Sequence, residues 1–398
     1  MKKILILLVS AVLISIPVAK TIFPSGDFIS GLIGLVFLGA LTQINRRKKL
    51  EWFLIILIGL GIFSLYAFSI LWSSNLAAGF KGLETKLSLA VIPLSLGLIG
   101  PFNKKEANFL WLSFFTGLVI SACYHLVLAA CESFYSIDYS AFFYASLSRE
   151  FHPSYLAMYF SVGLAVVLFS ENTWINKKSS TVIKFLLAAL FSGFIILLSS
   201  RTGFICLGIF LVVHVLKNAL QRQFFNISLS AAALLVSGLV YFGSNVAQSR
   251  VKGVLELSGV SVKKKDVTYR NSIDSRLIAW KCSTELIASN LGGYGIGDSQ
   301  DELVNSYKAK GEVFMQTKNF NSHNQFLTTS LSIGVFGFVL LVLLFFILLA
   351  RAWNQGDWVL GLVTLLLVLN FMTESMLERA EGTTFIPLIL CILVFRKD

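Results

Sequence analysis

Charged residues are scarce in this 398-residue sequence: they make up 14% of it, with 21 Asp and Glu against 33 Lys and Arg. A soluble globular chain carries about 25% charged residues, so this chain has too few to cover a water-facing surface in the ordinary way. This composition excludes a disordered chain, a nucleic-acid-binding domain and a coiled coil. The five cysteines form no Cys-x-x-Cys pair, which argues against a disulfide framework or a cysteine-based metal site.

Hydrophobic residues make up 56% of the chain and collect in long runs. Runs close to membrane-spanning length predict an all-α, polytopic transmembrane bundle of about 12 spans. The first run could instead be a cleaved signal peptide, but Pro17 to Lys20 is a poor cleavage site and favours a retained helix. The runs lie near residues 4–19, 28–44, 52–72, 87–100, 107–131, 153–170, 183–199, 203–216, 225–243, 325–350, 358–372 and 383–395.

Positive charges predict the orientation of these spans. With the N-terminus in the cytoplasm, sixteen Lys and Arg residues fall in inner segments and six in short outer loops. Cytoplasmic loops are enriched in Lys and Arg, so both termini are expected in the cytoplasm. Much of the net charge of +12 is then an orientation signal, and membrane lipids rather than nucleic acid are the expected partners.

The chain divides into helices 1–9 over residues 1–243, a long outer loop over 244–322 and helices 10–12 over 323–398. We expect the loop to pack on the helix ends as a lid or platform. Within it, residues 271–290 have capping residues at the start and Gly292–Gly293 at the end, which predicts a helix. Its predicted apolar face consists of Ile273, Leu277, Trp280 and Ile287.

Polar residues cluster at the predicted outer ends of the spans, which suits chemistry at the outer membrane boundary. Arg201, in a Ser-Ser-Arg-Thr-Gly turn, is either an interfacial anchor or a phosphate-binding arginine whose planar fork can hold two oxygens. Arg276, on the loop helix, either pairs with Asp274, faces solvent or serves the same anion. Inside the spans, His125 and His214 are expected to be paired within the bundle.

His323 stands at the mouth of the tenth run, in Asn-Ser-His-Asn-Gln-Phe-Leu, and is either a surface or capping residue or a general base. The glycine-rich turn 292–297 does not follow a strand, so we interpret it as a turn that lets the loop approach the bilayer. No Asp-x-Asp or His-x-x-x-His metal pair occurs, and chemistry without a metal or other cofactor is the simpler expectation.

The order of these motifs resembles the O-antigen ligase and O-antigen polymerase family of bacterial envelope glycosyltransferases. The resemblance covers nearly the whole chain and is closest to its ligase-like branch. It is carried by Ser200–Gly203, Arg276-x-x-x-Trp280, Gly293-x-Gly295-x-Gly297, Ser322–Leu327, Gly334-x-x-Gly337, Lys86–Ser88 with Pro93, His152–Ala157 and Thr373–Arg379.

The resemblance implies an inner-membrane enzyme with its active site on the periplasmic face. Its donor would be a glycan on undecaprenyl pyrophosphate, and Arg201 and Arg276 would bind the pyrophosphate. Its acceptor would be lipid A–core or another glycan. His323 would help to activate the acceptor hydroxyl, with neither nucleotide sugar nor metal. Six further outer polar residues are secondary candidates: Arg270, Lys281, His152, Asn324, Glu378 and Arg379.

Several functions stay open at this point. A ligase to lipid A–core is the leading hypothesis, and a repeat-unit polymerase and a protein O-oligosaccharyltransferase share the same donor chemistry. A transporter of lipid-linked glycans belongs to a different class. The sequence shows neither carboxylates at mid-membrane positions nor internal repeats, and both absences argue against a transporter.

Overall fold

A computed structural model describes residues 1–22, 27–44, 52–136, 139–170, 177–242, 248 and 272–396. Across these ranges the chain forms helices and no β-strand, and an isolated β-bridge joins Phe102 to Arg396. The predicted all-α class is confirmed.

Fourteen helices are named here in chain order. They are α1 Lys2–Ser15, α2 Asp27–Leu41, α3 Phe53–Trp72, α4 Leu76–Ile99, α5 Lys104–Ser136, α6 Pro153–Phe169, α7 Lys177–Leu197, α8 Arg201–Leu220, α9 Phe224–Phe242, α10 Ser272–Ser289, α11 Ser299–Ala309, α12 Gln325–Gln355, α13 Trp358–Thr373 and α14 Ala380–Val394. Shorter helical turns include Tyr144–Ser148, Val313–Thr317 and Met376–Glu378.

Each predicted apolar run overlaps one of these helices. The largest departures are α4, which begins eleven residues before its run because Leu76–Lys86 is also helical, and α5, which extends its run at both ends. Within the described residues, five helices are long and apolar enough to cross a membrane: α3, α4, α5, α8 and α12. Shorter apolar helices include α2, α6, α13 and α14, and the span count of 12 stays a prediction.

Helix α6 forms the centre of the bundle. All of its residues except Ser154 are buried, as expected of a helix that is apolar on every side. It packs against α7, α8 and α13, and its side chains join a core that runs through most of the long helices. Protein therefore surrounds α6 along its whole length.

The described part of the predicted loop, residues 272–322, has a small core of its own. This core packs against Leu331 of α12, so the segment contacts that helix directly. The core residues of the segment include Ala279, Cys282, Leu303 and Tyr307. The predicted loop helix is observed as α10, and Ile287 of its predicted apolar face packs against this small core. Leu277 of that face is 44% exposed, and small residues are buried on α10. These buried small residues are Ser275, Ala279, Cys282 and Ser283.

Helix α12 breaks at Ile333 and Gly334, and the glycine-rich turn fills the break. Gly334 has a φ of 69°, and Leu291 O accepts a hydrogen bond from Val335 N at 3.0 Å. From the turn, Tyr294 N donates to Leu331 O at 2.7 Å. A Cβ on Gly334 would lie 2.4 Å from Leu291 O, so this backbone contact requires glycine. The turn thus packs against protein backbone at the break in α12, and its approach to the bilayer stays a prediction.

The two histidines inside the long helices are paired, as predicted. His125 Nδ1 lies 2.7 Å from the carbonyl oxygen of Ser121, and His214 Nδ1 lies 2.7 Å from Ser230 Oγ. Each contact gives Nδ1 of a buried ring a partner within the bundle.

Candidate active site

A cleft of about 150 Å³ opens at the end of the bundle where α6 and α8 begin. It brings together the three principal candidates Arg201, Arg276 and His323 with the secondary candidate His152. These residues come from distant parts of the chain, so only the folded bundle assembles the cleft. Its lining residues are Tyr144, His152, Ser154, Ser199, Ser200, Arg201, Thr202, Arg276, Phe320, His323 and Glu374.

Arg201 is the first residue of α8, directly after a tight turn. Ser200 caps the helix by accepting a hydrogen bond from Gly203 N at 3.4 Å, and Ser199 takes a left-handed φ of 49°. A guanidinium at a helix N-terminus adds to the positive end of the helix dipole. This wall of the cleft is therefore suited to an anion.

Gly203, the last residue of the Arg201 motif, serves packing. A Cβ there would lie 3.2 Å from Ile195 and 3.4 Å from Ala157, so glycine allows α8 to approach α7 and α6. Thr202 Oγ1 lies 2.9 Å from Thr373 Oγ1 and ties the start of α8 to the end of α13. This glycine therefore faces the bundle interior.

Glu374 links the other two principal residues. Its Oε1 accepts a hydrogen bond from Arg276 Nη2 at 2.5 Å, and its Oε2 lies 2.8 Å from His323 Nδ1. Its side chain is 8% exposed, while those of Arg276 and His323 are 23% and 22% exposed. A buried carboxylate thus orients an arginine and a histidine that both reach the cleft.

The charge state of Glu374 decides how His323 is protonated. Burial opposes its ionisation, but the hydrogen bond from His323 and the positive charges of His323, Arg276 and His152 outweigh burial and lower the pKa of Glu374 to about 2. An ionised carboxylate only accepts hydrogen bonds, so Nδ1 of His323 carries the proton that it donates. In the neutral ring, Nε2 is then the atom with a free lone pair.

His152 contributes a second imidazole of different character. It caps α6, and its Nδ1 accepts a hydrogen bond from Ser154 N at 3.4 Å. Burial lowers the pKa of His152, partly countered by Glu374 and reinforced by the charges of Arg379, His323 and Arg276. Burial thus favours the neutral ring, in which Nε2–H is the donor.

Backbone strain is concentrated at this cleft. Six described residues other than glycine have a positive φ, and three of them line it: Tyr144, Ser199 and His323, the last with a φ of 45°. Strained residues persist where the surroundings over-determine them, and they cluster at functional sites. His323 N donates to Asn321 Oδ1 at 2.9 Å, and its ring packs on Phe320 with centroids 4.4 Å apart.

Four secondary candidates do not line the cleft. Asn324 caps α12 by accepting a hydrogen bond from Leu327 N, and Lys281 is exposed on α10. Glu378 pairs with the buried Lys86 at 2.8 Å, and Arg379 is exposed. The fifth, Arg270, lies outside the described residues.

The residue that sequence reasoning missed is Glu374, which had no assigned role although its segment carried part of the resemblance. Its segment is tightly held, because Leu377 N donates to Gln325 Oε1 at 2.6 Å and Ser375 Oγ lies 2.8 Å from Thr328 Oγ1. The signal available was a carboxylate at the predicted outer end of an otherwise uncharged run. Within the described ranges, the cleft included, no group of three His, Cys, Asp or Glu side chains has the geometry to hold a metal ion.

Comparison with known proteins finds a family match for the middle of the chain. Residues 186–342 match the family model described as O-antigen ligase. This region belongs to the O-antigen ligase family. The resemblance inferred from the motifs is confirmed, and no curated protein matches the chain.

The O-antigen ligase region contains Arg201, Arg276 and His323, while Glu374 lies beyond its end. Membership implies ligase- or polymerase-like transfer of glycans, with a lipid-linked glycan and a glycan acceptor as partners. Together with its apolar helices, it indicates a membrane protein.

Proposed function

We propose that this O-antigen ligase family protein transfers an O-antigen-type glycan from undecaprenyl pyrophosphate to lipid A–core at the periplasmic face of the inner membrane. The observation that carries the proposal is the meeting of Arg201, Arg276 and His323 on one cleft. Two guanidinium groups and a histidine are what transfer from a pyrophosphate carrier requires.

The arginines would bind the departing pyrophosphate. Negative charge develops on it as the glycosidic bond breaks, and cations that are already positioned stabilise that charge most effectively. Arg276 keeps several N–H donors besides the one that Glu374 accepts, because a guanidinium carries five. The arginines supply the positive charge that a metal ion supplies in other phosphate sites, so the proposed reaction is metal-independent.

His323 would act as the general base. Its Nε2 accepts the proton of the acceptor hydroxyl while Glu374 holds Nδ1–H and stabilises the imidazolium that forms. The hydroxyl oxygen then attacks the anomeric carbon and the bond to pyrophosphate breaks. A single displacement of this kind inverts the anomeric centre.

Deletion of the gene tests the acceptor. If the protein is a ligase, lipopolysaccharide from the deletion strain loses every ladder band on a gel while lipid A–core remains. Retention of one repeat unit on the core would overturn the ligase assignment in favour of a polymerase, and an unchanged ladder would overturn both. Complementation with the wild-type gene and with His323→Ala, at matched membrane levels, attributes the effect to the cleft.

A further inference from the structure

Among the Lys, Arg, Asp and Glu side chains that the structure describes, two are buried: Lys86 and Glu374. Lys86 is on α4, a helix long and apolar enough to cross a membrane, and its side chain is 1% exposed. Burial of an ammonium in such a helix is costly, and an ionisable residue there is a candidate functional residue by default. The proposed reaction uses Glu374 but gives Lys86 no role.

Lys86 reaches the segment that carries Glu374. Residues 374–379 follow α13, and we call this segment the strap. Lys86 Nζ donates a hydrogen bond to Glu378 Oε2 of the strap at 2.8 Å. The same ammonium lies 4.9 Å from the centre of the Tyr66 ring on α3. The two buried charges therefore belong to one connected structure.

A chain of hydrogen bonds connects the Tyr66 side chain back to the strap. Tyr66 Oη lies 3.0 Å from Thr329 Oγ1, which also accepts a hydrogen bond from Gln325 Nε2 at 2.9 Å. Gln325 Oε1 in turn accepts a hydrogen bond from Leu377 N of the strap at 2.6 Å. All four of these residues are buried. Together with Lys86 they form a closed ring of contacts that fixes the strap to α3, α4 and α12.

Stability alone does not explain the ion pair in this ring. Desolvation of a buried ion can exceed the attraction to its partner, and apolar replacements of similar volume often leave stability unchanged or raise it. Glu378 Oε1 adds to the cost, because it is buried and has no hydrogen-bond partner among the described residues. A buried ion pair can instead specify one arrangement of the segments that it joins.

We propose that Lys86 is a positioning residue: by holding Glu378 it sets the position of the strap, and thereby the contact of Glu374 with His323. This inference rests on the proposed function. Glu374 Oε2 has to stay 2.8 Å from His323 Nδ1 to orient the ring. A misplacement of about 1 Å can lower a rate by about 10²-fold. Lys86 does not line the cleft, so its effect passes through Glu374.

The first test removes both charges of the pair. Lys86→Met/Glu378→Gln leaves neither partner as an uncompensated charge, so we expect it to fold and to transfer glycan about 10²-fold more slowly than the wild type. The matched control, Asp357→Asn/Arg396→Gln, removes an ion pair at the other end of α13 and should transfer at the wild-type rate. A wild-type rate in the Lys86→Met/Glu378→Gln variant overturns the proposal.

The second test asks whether Lys86 acts through Glu374. Effects of independent sites multiply in rate, whereas residues that act through one contact are not additive. In a Glu374→Gln background, we therefore expect Lys86→Met/Glu378→Gln to lower the rate little further. A purely structural role would give the same factor of about 10² in both backgrounds and would overturn the proposal.

A readout without glycan transfer separates this proposal from the proposed function. Cryo-electron microscopy gives the distance between the Glu374 carboxylate and the His323 ring, which we expect to exceed hydrogen-bond distance in Lys86→Met/Glu378→Gln. A wild-type protein that transfers no glycan contradicts the proposed function alone, whereas an unchanged distance in the variant overturns the positioning role.

A milder variant covers the case in which the double variant does not fold. Lys86→Met leaves only Glu378 unpaired, and the side chain of Glu378 is 32% exposed and can be solvated. It enters the same assays with the same expected loss of rate and of the contact with His323. A wild-type rate overturns the proposal, and failure of both variants to fold overturns it as well, because the pair would then serve stability.

Discussion

At the scale of single residues, the contact between Glu374 and His323 determines which ring nitrogen of the histidine is available for chemistry. We expect Glu374→Gln to lower the transfer rate by roughly 10²–10⁴. The amide can donate to Nδ1 and so stabilise the tautomer in which Nε2 carries the proton and cannot act as a base. The measurement is glycan transfer from lipid-linked donor by purified protein.

The matched control for Glu374→Gln is Glu381→Gln. Glu381 also pairs with a cation, Lys20, at 2.5 Å, but it does not line the cleft. Equal loss of activity in both variants would show that Glu374 matters only as one of several ion pairs that stabilise the fold.

The arginines are tested by removing charge and geometry separately. Arg201→Ala or Arg276→Ala should lower the rate by about 10²–10³, the effect of losing one donor to developing charge. Arg201→Lys keeps the charge but loses the planar fork, so transfer should still be impaired. Lys281→Ala, on the exposed side of α10, should leave the rate unchanged. Near-normal transfer by both alanine variants at normal expression would show that the two arginines only anchor the protein at the membrane interface and do not bind the pyrophosphate.

The pH dependence of transfer distinguishes a base from a fixed cation at residue 323. A protonated imidazole cannot accept a hydroxyl proton, so the wild-type rate should fall as the pH is lowered. The pKa of Glu374, about 2, is too low for this carboxylate to cause that fall. His323→Ala should abolish transfer but leave donor binding, which is measured separately. If His323→Arg keeps appreciable activity and the wild-type transfer rate does not fall at low pH, the residue acts only as a cation.

The same pKa sets a stability expectation with a definite sign. Because the pKa of Glu374 is depressed from 4.5 to about 2, its ionised form stabilises the folded state above pH 4.5. That contribution is lost as the pH falls from 4.5 towards 2. Glu374→Gln should remove this part of the acid sensitivity of unfolding.

At the scale of elements, the break in α12 depends on Gly334. Alanine there would meet Leu291 O and would have to take a φ of 69°, which is strained for any residue with a Cβ. We expect Gly334→Ala to lower the free energy of unfolding by about 1–3 kcal/mol. Gly208→Ala is the control, because a Cβ on Gly208 in α8 meets no atom within 4 Å. Equal midpoints for the two variants in thermal unfolding would contradict a structural role for the break.

The elements themselves were predictable, because long apolar runs leave the chain few alternatives to helix. What the sequence could not reveal was which surfaces meet. The buried face of α10 uses serine, alanine and cysteine, so hydrophobicity pointed to Leu277 instead. Likewise Gly334 stands as one glycine in an apolar run, and its role depends on Leu291, which approaches only in the folded chain.

The site was predictable to a similar degree. Motif order selected Arg201, Arg276 and His323, which do line one cleft. Glu374 was missed because a carboxylate that orients two other side chains is recognised only by its distances to them. Asn324 and Lys281 were chosen for their predicted outer location, but capping and solvent exposure account for them.

At the scale of the whole molecule, orientation decides which compartment the cleft faces. A reporter fused after Asp398 should read as cytoplasmic, and one inserted near Lys264 should read as periplasmic. The reverse pattern would move the cleft to the cytoplasmic side and contradict the proposed reaction.

The break in α12 also limits how the cleft can open. A broken membrane helix often works as a hinge, because the backbone groups freed at the break are not held. Here the carbonyl of Leu331 and the amide of Val335 are bonded to the turn that starts at Leu291, so bending would cost these bonds. The joint is therefore locked, and His323, two residues before the first residue of α12, belongs to a rigid wall of the cleft. We expect any widening that admits a bulky glycan to come from the facing side, at the turns that precede α6 and α8.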